Sequence, residues 1–163
     1  MPKSLGRSLP EPLRKLLDGS DLAGRVGLTW LLVTVAEDGW PHVAMLSVGE
    51  VLAAGPESLR LALWPGSRTT ANLERTGFGL LMAVVGSTTY HVRLQSRRGA
   101  DLSVRRRPRA YFAASVVEVL EDVVGYATVT NGIGFRLNQP EEVLADWEAA
   151  VAGLRRAAVD PDG

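Results

Sequence analysis

The sequence has no cysteine and only two histidines. Without a thiol there is no disulfide, no thiolate metal site and no cysteine nucleophile, and two imidazoles do not make a multi-histidine metal site. Charge of one sign is lacking too: 18 Lys and Arg stand against 18 Asp and Glu. No nucleic-acid partner is therefore expected, because such partners are held through an excess of cations. Long hydrophobic runs are missing as well. The longest, Phe78 to Val85, falls far short of the roughly 20 residues a spanning helix needs. The stretch Met1 to Arg14 carries Pro10 and Pro12 and none of the apolar core of a secretory signal. No membrane partner is expected, and the cytoplasm is the expected location. Glycine has no triplet period and no segment repeats, which removes collagen-like and solenoid architectures.

What is present is 163 residues, 46% of them hydrophobic, enough to bury one full core. The reading is a single domain over 1–163, with an N-terminal helical segment over 1–25, a barrel over 28–137 and a C-terminal helix over 140–158. Leu9, Leu13, Leu16 and Leu17 share one side of a short helix that Pro10 and Pro12 begin and Gly19 ends. Leu28 to Ala36 reads as a strand, stopped by Glu37-Asp38-Gly39, whose Asp-Gly pair suits a tight hairpin. A second strand runs from near Trp40 to about Leu52. In a third, Leu59, Leu61 and Leu63 alternate with Arg60, Ala62 and Trp64, the period of two of a sheet with one face on a core. Phe78 to Val85 and Thr88 to Gln95 form another hairpin across Gly86-Ser87. Tyr111 to Asp122 is a sixth strand, and Thr128 to Leu137, interrupted by Asn131-Gly132, a seventh or a bulged one. Pro140, then Glu141 and Glu142, begin a helix whose stripe is Val143, Leu144, Trp147, Val151 and Leu154. The class is mainly β: an antiparallel barrel of six to seven strands with flanking helices.

The segment from Trp64 to Gly77 carries the chemistry. It reads as strand end, loop and short helix, with Ser67 as cap and Gly77 as stop, so the first amides of the helix are unpaired at its positive end. Ser67, Thr69 and Thr70 add hydroxyls, and Arg68 adds a guanidinium suited to phosphate. Two readings follow from the residues alone: an ordinary capped surface helix, or a phosphate site. His42 and His91, the two imidazoles of the chain, read first as strand-face residues. Arg93 reads equally as a solvated strand residue or as one that holds an anion. Arg97, Arg98, Arg105, Arg106, Arg107 and Arg109 form a local cationic run, expected to pair with acids such as Glu118, Glu121 and Asp122. Of the four tryptophans, Trp64 alone lies close to this segment in sequence.

A hairpin with Asp38-Gly39-Trp40-Pro41-His42-Val43, then a strand ending before Ser67-Arg68-Thr69-Thr70-Ala71-Asn72-Leu73, then an apolar strand, resembles the FMN-binding split-barrel family related to pyridoxamine phosphate oxidase. The likeness covers about Leu28 to Leu137. It implies a homodimer with FMN in clefts at its interface, the phosphate held by Ser67, Arg68 and Thr69 with Thr70 or Asn72 assisting. Met45, Leu46 and Ser47 would line the isoalloxazine ring, with Leu63 and Trp64 beside it. The implied activity is oxidoreduction of a small molecule. Thr69 stands where many members place lysine, which keeps the deazaflavin F420 or haem as alternative cofactors. The basic, Trp-containing C-terminal motif of true pyridoxamine phosphate oxidases is absent, so vitamin B6 is not the expected substrate. A non-enzymatic ligand-binding or stress-response barrel is the alternative of another class.

Overall fold

The computed structural model describes residues 1–159; residues 160–163, the end of the domain read over 1–163, lie outside the described residues. Its strands are β1 (Lys3–Ser4), β2 (Trp30–Val35), β3 (Pro41–Leu46), β4 (Val51–Gly55), β5 (Ser58–Leu63), β6 (Phe78–Val85), β7 (Thr88–Arg98) and β8 (Ala110–Asp122). The helices are α1 (Glu11–Leu16), α2 (Arg68–Thr76) and α3 (Pro140–Val159), with a single 3-10 turn at Ala23–Arg25. Asp38-Gly39 makes the first hairpin as expected: Gly39 takes φ +84°, and Trp30 to Val35 pair antiparallel with Leu46 to Pro41. Gly86, at φ +61°, turns β6 into β7 with Phe78 opposite Gln95.

The sheet runs β3-β2-β6-β7-β8-β5-β4, every neighbour antiparallel, with β1 added on β8. The two edge strands, β3 and β4, are consecutive in sequence and joined by residues 47–50 alone. So short a link curls the sheet and brings its two edges toward each other without pairing them, which makes the half-barrel. The run expected as one strand from Trp40 to Leu52 is therefore two strands with a seam between them. At the seam Glu50 folds back: its Oε2 accepts from the Ser47 amide at 2.7 Å and the Ser47 hydroxyl at 3.0 Å, and its own amide donates to the Ser47 carbonyl at 3.1 Å.

Thr128 to Leu137 forms no strand. Gly132 packs against Val84, and Gly134 faces the Gly27 carbonyl. The segment crosses the barrel surface as an irregular strap and pairs with neither edge strand, β3 or β4.

Trp30, Leu32 and Thr34 of β2 point inward with Leu59, Leu61, Leu81, Val92 and Phe112, all buried. Each such large apolar side chain stabilises the fold by about 1.5–3 kcal/mol relative to exposure. Leu13 and Leu17 from the α1 region and Ala150, Val151 and Leu154 of α3 extend this core, and α3 packs on β4 and β5. The α1 helix stops at Leu16, with Leu17 as its cap, slightly before the Gly19 stop expected from sequence. The α2 helix covers the β2 side, where Leu73 and Asn72 are buried.

Candidate functional site

A cleft of about 420 Å³ opens at the barrel seam, within the size range of small-molecule sites. The end of β3 supplies Met45 and Leu46, and the seam turn supplies Ser47, Gly49 and Glu50. Trp64 follows β5, Arg109 precedes β8, α3 brings Asp146 and Trp147, and the strap brings Phe135. Phe135 meets Trp147 edge to face, with centroids 6.3 Å apart, a favoured aromatic geometry. The Thr29 hydroxyl is buried on the cleft wall and has no hydrogen-bond partner.

Trp64 is the pivot of the site. The Arg109 guanidinium lies 3.6 Å from its ring centroid, and that of Arg107 lies at 5.9 Å, so one face of the indole carries a stacked cation. Arg109 Nη1 donates to the Arg107 and Pro108 carbonyls, each at 3.3 Å. Burial lowers the pKa of Arg109, while the nearby Asp146 and Glu50 carboxylates oppose that shift. Glu50 titrates above the ordinary carboxylate range, because burial penalises its charge more than the Ser47 hydrogen bonds and Arg109 favour it.

Met45, Leu46, Ser47 and Trp64 thus come together around the cleft. Leu63 is buried in the barrel and does not line it. Ser67, Arg68, Thr69, Thr70 and Asn72 lie on the first turns of α2, outside the cleft wall. Ser67 caps the helix by accepting from the Thr70 amide at 3.2 Å, and Gly77 ends it in the left-handed region at φ +71°, as the local signals predict. Ser67 Oγ donates to Thr70 Oγ1 at 3.1 Å, and Thr70 Oγ1 donates to the Trp64 carbonyl at 2.8 Å. Asn72 is turned inward and donates to Thr34 Oγ1 at 3.0 Å. Thr69 is buried; Arg68 is exposed beside the amides at the helix start.

Three arginines of the cationic run, Arg98, Arg105 and Arg106, are paired, and with other acids than those expected. Arg105 pairs with Asp146 at 3.0 Å and Arg106 with Glu142 at 2.9 Å, which pins the loop before β8 to α3. Arg98 pairs with Glu74 at 3.1 Å and with Asp101. Glu118 instead pairs with Arg93 across β7 and β8 at 2.7 Å. Neither His42 nor His91 lines the cleft. The sequence reading missed Glu50, Thr29 and Phe135 as cleft residues. A single carboxylate inside the apolar stretch from Val43 to Leu52 was the one signal for Glu50.

No family model matches the chain. Over 148 residues it is 38% identical to the uncharacterized protein YclD of Bacillus subtilis strain 168, and the match spans 91% of this chain and 96% of YclD. The chain belongs to the YclD family. Among solved structures, this YclD-family chain is similar to a provisionally designated pyridoxamine 5'-phosphate oxidase from Lactobacillus delbrueckii. That likeness has a TM-score of 0.56 at 19% identity over 72% of this chain and 98% of the other. It is also similar to HupZ of Group A Streptococcus, with a TM-score of 0.54 at 11% identity over 78% of this chain and 99% of the other. At such identities the likeness shows the fold alone, and that fold is the split barrel of the pyridoxamine phosphate oxidase-like proteins. No helix among the described residues is long and apolar enough to cross a membrane.

Proposed function

We propose that this YclD-family barrel is an FMN-binding flavoprotein that acts as a homodimer on a small molecule. The observation that carries the reading is the single hydrogen bond from Thr70 to the Trp64 carbonyl. It couples an aromatic-walled cleft to a helix start bearing an exposed arginine. A ring-plus-phosphate ligand needs those two halves: flat apolar walls with a few polar atoms, and amides with a cation for the anion. The walls come from Trp64, Phe135 and Trp147, and the buried Thr29 hydroxyl supplies an unused polar atom. Arg68 and the first α2 amides would take the phosphate, with Ser67 and Thr70 holding that turn in shape. Thr69 and Asn72 would support it from the buried side, and Leu63 would fix the backbone that presents Trp64. When bound, flavin supplies hydride and electron transfer.

The outer sheet face favours the dimer. Val43 and Met45 stand opposite Val33 and Leu31, which stand opposite Leu80 and Met82, an unbroken apolar patch across β3, β2 and β6. Met45 is 67% exposed and also lines the cleft, so a partner seated on this patch would wall the cleft off from water. Equilibrium titration with FMN, followed by flavin fluorescence with F420 and haem as competitors, tests the cofactor. Displacement of FMN by haem or F420 at far lower concentration would overturn the FMN reading, and a monomer by light scattering would overturn the dimer.

A further inference from the structure

The strap between β8 and α3 lies on the barrel without a hydrogen bond to it. Residues 123–138 form no helix or strand, and all but Val129 and Leu137 are exposed. Among the described residues, none of their backbone groups pairs with another backbone group, so water satisfies them. The side-chain bonds of the strap, Thr130 to Asn131 and Asn131 to the Gly132 carbonyl, stay inside it. Its one charged residue, Arg136, forms no ion pair among the described residues. What holds the strap down is contact at its far end. Gly132 packs on Val84, and a Cβ on Gly27 would stand 2.9 Å from the Phe135 carbonyl oxygen, so those two backbones touch because Gly27 has no side chain. Phe135 rests edge to face on Trp147 of α3. Ile133, Gly134 and Phe135 are also cleft wall. The near end is free of such contacts: Val123, Val124 and Tyr126 are exposed, and nothing lies within 4 Å of a Cβ built on Gly125. The chain bends at Gly125 and Tyr126 and again at Asn138 and Gln139.

We propose that residues 123–138 are a lid over the seam cleft, hinged at those two bends and latched by Phe135 on Trp147, which lifts to admit a small-molecule ligand and closes on it. Lifting breaks no hydrogen bond and leaves the sheet untouched; it gives up only the packing of Gly132 and Phe135. Segments held this way open at the low end of a protein's range of local stabilities. A ligand in the cleft touches Ile133, Gly134 and Phe135 only while the strap is down, so occupancy favours the closed form. The lid does not depend on which cofactor the cleft holds.

The contact at Gly132 offers a lock. A Cβ there would stand 3.2 Å from Val84 Cβ, a few tenths of an ångström inside the roughly 3.5–4.5 Å of a disulfide, and the chain has no cysteine to compete. The experiment measures acrylamide quenching of tryptophan fluorescence in the Val84→Cys/Gly132→Cys chain, oxidised and then reduced. Trp30 is buried in the core and Trp40 is exposed on the first hairpin in either state, so a difference reports Trp64 and Trp147 at the cleft. Quenching of that pair should be lower by about 2-fold or more in the oxidised form, because the lock removes the open state, and reduction should restore it. In the unmodified chain, the amides of Gly132 and Gly134 and the Trp147 indole should show relaxation dispersion on the microsecond to millisecond scale with one shared rate. Equal quenching in the two redox states, or no dispersion at these three groups, would overturn the lid. Failure of the folded pair to oxidise would overturn it too, by removing the closed contact on which it rests.

Discussion

Thr70 Oγ1 donates to the carbonyl of Trp64 at 2.8 Å, so the first buried turn of α2 and the aromatic wall of the cleft are one hydrogen bond apart. That bond fixes the loop of Pro65 and Gly66 from both ends, and Gly66 meets its φ of +71° there without the strain a side chain would add. Replacement of Thr70 by valine keeps the volume and leaves the Trp64 carbonyl with only the longer bond from the Ser67 amide at 3.3 Å. A loss of about 1–3 kcal/mol in denaturant unfolding is expected, together with weaker FMN binding because both halves of the site shift. Unchanged FMN affinity in a destabilised Thr70→Val protein would show that the two halves are not coupled through this bond.

Gly49 is required by Trp147 rather than by its own backbone. A Cβ at Gly49 would stand 2.2 Å from Trp147 Cγ and 2.3 Å from its Cδ1, closer than real contacts allow. Gly49→Ala should cost about 1–3 kcal/mol through displacement of α3 from the seam. The double variant with Trp147→Ala should show non-additive stability, since the clash exists only while the indole is present. Additive losses in thermal or urea unfolding would sever the link between the seam and α3.

Glu50 gives a pH signature of a buried carboxyl. Burial raises its folded pKa above the ordinary 4.5, so the charged form weakens the fold and the protonated form does not. Stability from this group is fully present below pH 4.5 and is lost as pH rises through the raised folded value. The melting temperature of Glu50→Gln minus that of the unmodified chain should accordingly be most positive near pH 8 and fall toward pH 4.5. Asp18, whose partial burial is outweighed by hydrogen bonds from Ser20 and Arg25 that hold it down to about 2, contributes equally to both proteins and cancels in the difference. A difference flat across this pH range would contradict the burial of Glu50.

Local signals carried much of the fold. Ser67 and Gly77 bound α2, and Asp38-Gly39 and Gly86-Ser87 set two hairpins, because each device acts within a few residues of itself. The seam was not legible in the same way. Val43 to Leu52 is apolar on both sides of Gly49, and the break comes from a carboxylate folding onto Ser47 and from an indole about 100 residues further along the chain. Thr128 to Leu137, read as a seventh or bulged strand, pairs with neither β3 nor β4 and runs as an irregular strap instead. Arg105 and Arg106 found their acids on α3, where sequence distance hides the pairing. Met45, Leu46, Ser47 and Trp64 reached the cleft through the order of strands, whereas Glu50 and Thr29 became visible only once the turn between β3 and β4 was placed beside it.

The most direct measurement is the affinity of the purified chain for FMN and for riboflavin, each compared with that of Arg68→Ala. Arg68 is exposed at the start of α2, and its removal should leave the unfolding free energy within about 0.5 kcal/mol. The account predicts that FMN binds more tightly than riboflavin, and that Arg68→Ala weakens FMN by about 1–3 kcal/mol while leaving riboflavin unchanged. Equal affinities for FMN and riboflavin, untouched by the substitution, would contradict a phosphate held at this helix start.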